Sequence, residues 1–214
     1  MTAEDLTTRL AAPLPARELA RRWWRPALAV LLVAGAVVWR LVKDDLGAPP
    51  NLELSTAAAF AAAGLLRHRL AMLAPLVVVA LSDVLLGNSS VLVFTWSAWA
   101  AIGVGAWWAG RTRGTAGRLV AALGFGVGSS LFFYLWTNAG VWWLGRGTFY
   151  PEGLDGLLAS YVAGLPFLRP MLLGNLVLVP LVAGLVALVE RLERAAAPAA
   201  SLATKPAARV FPAR

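Results

Sequence analysis

LSTAAAFAAAGLL, residues 54–66, is the stretch on which the fold turns. It is apolar enough for hydrocarbon but only 13 residues long. As a helix rising about 1.5 Å per residue it covers about 20 Å of a bilayer core roughly 30 Å thick. Whether it crosses decides the number of spans and the side on which every later residue lies.

Outward from this stretch the apolar segments are longer. Residues 26–42, 70–87, 91–110, 117–138 and 170–189 each approach the roughly 20 residues that a span needs. The whole chain agrees, with 214 residues of which 59% are hydrophobic and 14% charged, and a mean hydropathy of +0.71. Soluble domains carry about 25% charged residues. The composition is that of an integral, all-helical membrane protein. Its formal charge of +8 is spread in short clusters between apolar segments rather than gathered in one patch, a pattern that orients a membrane protein and argues against a nucleic-acid partner. The absence of cysteine excludes disulfides, thiolate catalysis and Cys-ligated metals. The run RRWWRPALAVLLVAGAVVWR, residues 21–40, has the basic start and the small AGA triplet of a cleaved signal. Its apolar stretch continues to Trp39 and more spans follow, so it reads as a retained first span.

Charge decides the short segment, because cytoplasmic loops carry an excess of Lys and Arg. If residues 54–66 cross, the chain has six spans with both termini cytoplasmic, and 15 of the 19 basic residues fall inside. The outer side then keeps Arg40, Lys43, Arg146 and Arg169 beside Asp44, Asp45, Glu53, Asp83, Glu152 and Asp155. A re-entrant loop would instead bring Arg67, His68 and Arg69 to membrane depth, where cations are expensive. Six crossings follow. His68, between two arginines in an inner loop, reads as solvated. Trp23, Trp24, Trp107 and Trp108 fall at inner span ends, and Trp39, Trp136, Trp142 and Trp143 at outer ends, as an interfacial belt requires.

Residues 154–165 are too few for an upright span and end at Pro166, so they are expected to form a short outer interfacial helix or lid. The expected organisation is a cytoplasmic segment over 1–22, a six-helix membrane domain over 23–191 and a disordered cytoplasmic tail over 192–214. That tail is rich in Ala and Pro and has little patterned apolar surface. Small residues at four-residue spacing, Ala101, Gly105 and Ala109 in the fourth span and Ala122, Gly126 and Ser130 in the fifth, predict close helix packing. Pro180 is expected to kink the sixth span.

With this topology the polar residues gather at the outer level. Asn51 and Ser55 open the second span, Asp83 lies a turn from the outer end of the third, Thr137, Asn138 and Trp142 close the fifth, Arg169 precedes the sixth and Asn175 lies a turn inside it. The inner halves of the spans are Ala, Gly, Val and Leu. Polar groups inside spans are concentrated at functional sites, so these eight residues are the candidate lining of an outward-facing pocket. Arg169 is the expected partner of Asp83, with Glu53 competing for it.

The blocks PNLELSTAAAFAAAGLL, LSDVLLG, FYLWTNAGVWW and FYPEGLDGLLASYVAGLPFLRPMLLGN, between residue 49 and about 185, resemble a functionally uncharacterised family of small bacterial membrane proteins. This chain has Leu52 and Glu53 where that family shows Phe-Ser, and Asn175 where an acid is common. In its six-span plan with alanine-rich early helices it is also similar, by architecture, to the substrate-binding S components of energy-coupling-factor transporters. That resemblance implies a multi-pass protein of the bacterial inner membrane that captures a small molecule and hands it to a partner ATPase and coupling module. No nucleotide-binding loop, metal cluster or catalytic triad is present, so neither a cofactor nor an enzymatic activity is expected. Two alternatives stand beside capture. One is a membrane scaffold or assembly factor whose polar residues only hold the bundle together. The other is an intramembrane enzyme using Asp83 as acid or base, for which no second catalytic group is evident.

Overall fold

The computed structural model describes residues 16–87 and 91–196. Of the expected cytoplasmic segment 1–22 and tail 192–214, residues 1–15 and 197–214 lie outside the described residues, whereas 16–22 and 192–196 are helical and continue the adjoining spans. Six α-helices account for most of the rest: α1 Ala16–Val42, α2 Ser55–Leu66, α3 Ala74–Leu86, α4 Leu92–Ala109, α5 Thr115–Gly145 and α6 Leu154–Ala196, with a 3₁₀ turn at Arg69–Leu73 leading into α3. Among the described residues there is no strand beyond one isolated bridge between Arg146 and Tyr150. Five segments, including the 3₁₀ turn with α3 but not α2, are long and apolar enough to cross a membrane. Their outer surface is apolar as well, with Val84, Val93, Val120 and Val177 all exposed. A bundle that is apolar outside as well as inside is at home in lipid. The protein is a multi-pass membrane protein.

The short α2 is the axis of the bundle. Every residue from Ser55 to Leu65 is buried, and its alanines meet a different neighbour on each side. Ala61 and Leu65 pack with Ala29 of α1 and Val186 of α6. Ala57 and Phe60 pack with Ala122 of α5 and Val179 of α6, and Ala58 packs with Ala36 of α1 and Val78 of α3. Side chains of one carbon let several helices approach at once, and a helix enclosed all round has no need of an amphipathic pattern. Enclosure also removes the length problem, since protein and not lipid surrounds its 12 residues.

Two sets of ion pairs mark the opposite ends of the bundle. At one, Arg25 of α1 meets Glu193 of α6, while Arg67 and Arg118 share Glu190. At the other, Arg40 of α1 meets Glu53 and Asp83. Residues 54–66 therefore run from one end to the other, as their flanking charges imply.

Two expectations about packing change. Residues 154–165 are not a separate surface helix but the start of α6, which continues for 43 residues through Pro166, Pro170 and Pro180. Each proline removes one backbone hydrogen bond. Over its first half α6 lies along α5, with Tyr134 Oη donating to the Tyr161 carbonyl at 2.7 Å and Ser160 Oγ to the Asn138 carbonyl at 2.7 Å. The seam of small residues in α5 is buried as expected at Ala122, Gly126 and Ser130. A Cβ on Gly126 would come within 2.9 Å of the Asn175 carbonyl oxygen, so glycine sets the distance between α5 and α6 there. In α4, by contrast, the buried face is Ala98, Trp99, Ile102, Gly103 and Ala106. Ala101 and Gly105 line an open apolar groove beside Gly124 and Phe125 of α5. The most buried stripe is thus one residue away from the expected one, although Ala109 packs on the cluster of Phe60 and Ala122 and a Cβ on Gly105 would come within 3.3 Å of the Phe125 ring.

Candidate functional site

The densest polar cluster is built around Arg40, in the last turn of α1. Its Nε donates to Ser82 Oγ at 2.6 Å, its Nη1 to Glu53 Oε1 at 3.0 Å and its Nη2 to Asp83 Oδ1 at 3.0 Å. The Trp96 indole of α4 donates to Asp83 Oδ2 at 2.8 Å. Lys43 reaches Glu53 at 3.7 Å and Asp44 at 3.3 Å. The planar fork of arginine suits this arrangement, three acceptors from two directions being served by one side chain. Burial raises the Glu53 carboxyl above its ordinary value, against the pull of Arg40 and Lys43.

Asp83 is thus held by Arg40, not by Arg169. Arg169 is exposed on α6, where it lines a hollow of about 460 Å³ with Leu165, Leu168, Leu172 and Leu173. Arg40 and Arg169 both belong to the charges placed at the outer level in the sequence. What distinguishes them is that α1, not the first half of α6, is the neighbour of α3, and apolar sequence carries no signal of that adjacency.

A second polar locus lies deeper. Asn175 of α6 is 1% exposed, and its Nδ2 donates to Ser130 Oγ at 2.9 Å and to Thr56 Oγ1 at 3.3 Å. Its Oδ1 is buried and has no hydrogen-bond partner among the described residues. Ser55, next to Thr56, is fully buried and turns to Glu53 Oε2 at 3.5 Å, so the two loci meet at the start of α2. Thr56 and Ser130 were not among the candidate residues. The four-residue seam pointed to Ser130 only as a packing position, and Thr56 carried no signal beyond its place beside Ser55.

The remaining candidates sit elsewhere. Thr137 Oγ1 and Asn138 Nδ2 donate to the carbonyls of Phe133 and Tyr134 one turn back in α5, at 2.7 and 2.8 Å, a local pattern that needs no ligand. The Trp142 indole donates to the Pro151 carbonyl at 3.2 Å in the α5–α6 connection. Asn51 is half-buried in the turn before α2, with a left-handed φ of 58°. The structure therefore joins Ser55 and Asp83 through Glu53 and Arg40, and places Asn175 one layer below. It does not bring Thr137, Asn138, Trp142 or Arg169 into contact with them by any hydrogen bond or ion pair among the described residues.

At the opposite end, Glu190 accepts from Arg67 Nη2 at 2.7 Å through Oε1 and from Arg118 Nη2 at 2.8 Å through Oε2. In the sequence these arginines read only as a topological signal. Compared with known proteins, the chain matches, over residues 18–199, the model of a family of unknown function, DUF6580. No curated protein and no solved structure matches it.

Proposed function

As a chain that belongs to the DUF6580 family, whose function is unknown, the protein has to be read from its own side chains, and we propose that it captures a small molecule. In this reading it crosses a bacterial inner membrane six times with both termini cytoplasmic. The Arg40 end faces outward and takes up a small polar or amphipathic molecule. Energy for uptake would come from a separate ATPase and coupling module.

Asn175 carries the reading. Its Oδ1 is a buried acceptor left unused beside Thr56 and Ser130. Such a group destabilises a bundle by about 1–3 kcal/mol, and a ligand amide or heterocyclic N–H would satisfy it. The test is thermal unfolding of the detergent-solubilised protein across a panel of amide-bearing and heterocyclic metabolites. At least one should raise the midpoint, by an amount that grows with the logarithm of its concentration above the dissociation constant. Asn175→Leu should stay folded, since it removes the unused acceptor, and should lose that response.

A second reading, a scaffold or assembly factor, is favoured by one specific observation. The donors of Arg40 named above all end on groups of the same chain, so the charged cluster is satisfied without a ligand. No response to any compound of the panel would select the scaffold.

A further inference from the structure

Arg67, Gly110, Arg111, Arg113, Arg118 and Glu190 line a cavity of about 210 Å³ at the end of the bundle opposite Arg40. Four arginines and one carboxylate line it, and both oxygens of that carboxylate are already engaged, by Arg67 and Arg118. Arg111 lies over the Trp107 ring at 4.4 Å from its centroid. Arg113 is exposed and has no acidic partner among the described residues.

Arg118 is the decisive residue. It is 4% exposed, and its Nε makes no hydrogen bond among the described residues. An arginine cannot relieve such burial by losing its proton, so the unused N–H calls for an acceptor. Arg118 also stands in the first turn of α5, where the N-cap residue Gly114 offers no side-chain acceptor. The positive end of that helix adds to the field of the arginines.

We propose that this cavity binds a phosphate-bearing anion, with Arg118 and Arg113 as its donors and Glu190 holding Arg67 and Arg118 in place. Its volume is below the roughly 300–1,000 Å³ of sites that enclose larger organic ligands. That suits inorganic phosphate or a phospholipid headgroup, and basic pockets between membrane helices bind such headgroups. The proposal is independent of ligand capture at the Arg40 end.

The test uses the full chain in uncharged detergent and follows its thermal midpoint. In one arm sodium phosphate is compared with sodium chloride and with sodium acetate at matched ionic strength. In the other, phosphatidylglycerol is compared with phosphatidylcholine in mixed micelles. A saturable rise is expected with phosphate, with phosphatidylglycerol or with both. A rise with the lipid alone assigns the anion to a headgroup, and a rise with phosphate alone to a free ion. Arg113→Gln should raise the half-saturating concentration by roughly tenfold, the loss of one charge-assisted contact, without moving the midpoint of the unliganded protein. Arg111→Gln provides a second exposed position with the same expected direction. The proposal fails if neither arm gives a saturable rise, if both variants respond like the parent, or if acetate matches phosphate.

Discussion

Replacing Arg40 with glutamine removes the three hydrogen bonds that tie α1 to α3 and to the start of α2: those to Ser82 at 2.6 Å and to Glu53 and Asp83 at 3.0 Å. Two carboxylates are left behind with side chains only 6% and 11% exposed. Breaking a buried pair by removing one partner costs about 3–5 kcal/mol. Lys43 at 3.7 Å from Glu53 offsets part of that, and Asp83 keeps the Trp96 indole. The expected loss is therefore near the lower bound, about 3 kcal/mol. Glu53→Gln should be milder than Arg40→Gln, because burial already disfavours the ionised form of Glu53 and Arg40 keeps Asp83. The double variant Arg40→Gln/Asp83→Asn should be less damaging than the sum of its parts, by about 1–3 kcal/mol. Unfolding in mixed micelles by titration with a denaturing detergent, read by tryptophan fluorescence, measures the parent, Arg40→Gln, Glu53→Gln, Asp83→Asn and the double variant. A loss below about 1 kcal/mol for Arg40→Gln would contradict the account, as would strict additivity of the pair. Arg169→Gln serves as the control and should leave the midpoint near that of the parent.

The axial position of α2 makes its alanines the least tolerant of growth. Ala61→Leu should destabilise the bundle by about 1–3 kcal/mol in the same unfolding assay, whereas Ala101→Leu, which points into the groove between α4 and α5, should change stability little. Gly126→Ala should cost about 1–3 kcal/mol, since its methyl would meet the Asn175 carbonyl at 2.9 Å, and a compensating truncation on α6 near that carbonyl should not rescue a backbone clash. Glu190→Gln should destabilise as well, because Arg118 is buried and would lose its carboxylate partner; circular dichroism on heating measures the shift.

The existence of the apolar segments and the two ends of the bundle were legible in the sequence because charge and length act along one dimension, although α1, α5 and α6 run beyond their expected limits. Arg67 and Arg69 after an alanine-rich run were enough to carry residues 54–66 from one end to the other. Which helix faces which was not legible. Lipid is as apolar as the bundle core, so a buried stripe and a lipid-facing stripe have the same composition. That is why the α4 seam was expected at Ala101 and Gly105 and lies at Ala98, Ile102 and Ala106. The same blindness gave Asp83 the wrong arginine, since only the placement of α1 beside α3 selects Arg40. Pro166 reads as a stop because proline breaks isolated helices, but α6 has α5 alongside it. Asn175 was legible as a polar residue out of place, while its partners Thr56 and Ser130 were not, because hydroxyls in apolar helices can bond to their own backbone.

The step from bundle to outward-facing capture rests on the side of the membrane that each end occupies. The chain has no cysteine, so single cysteines can be introduced without background. Phe149→Cys, at an 87% exposed position in the α5–α6 connection beside the Arg40 end, and Thr112→Cys, between α4 and α5 at the other end, should be treated in intact cells with a membrane-impermeant maleimide. The account predicts labelling of Phe149→Cys in intact cells and of Thr112→Cys only after permeabilisation. Labelling in the reverse order would put the Arg40 cluster and Asn175 on the cytoplasmic side and contradict capture from outside.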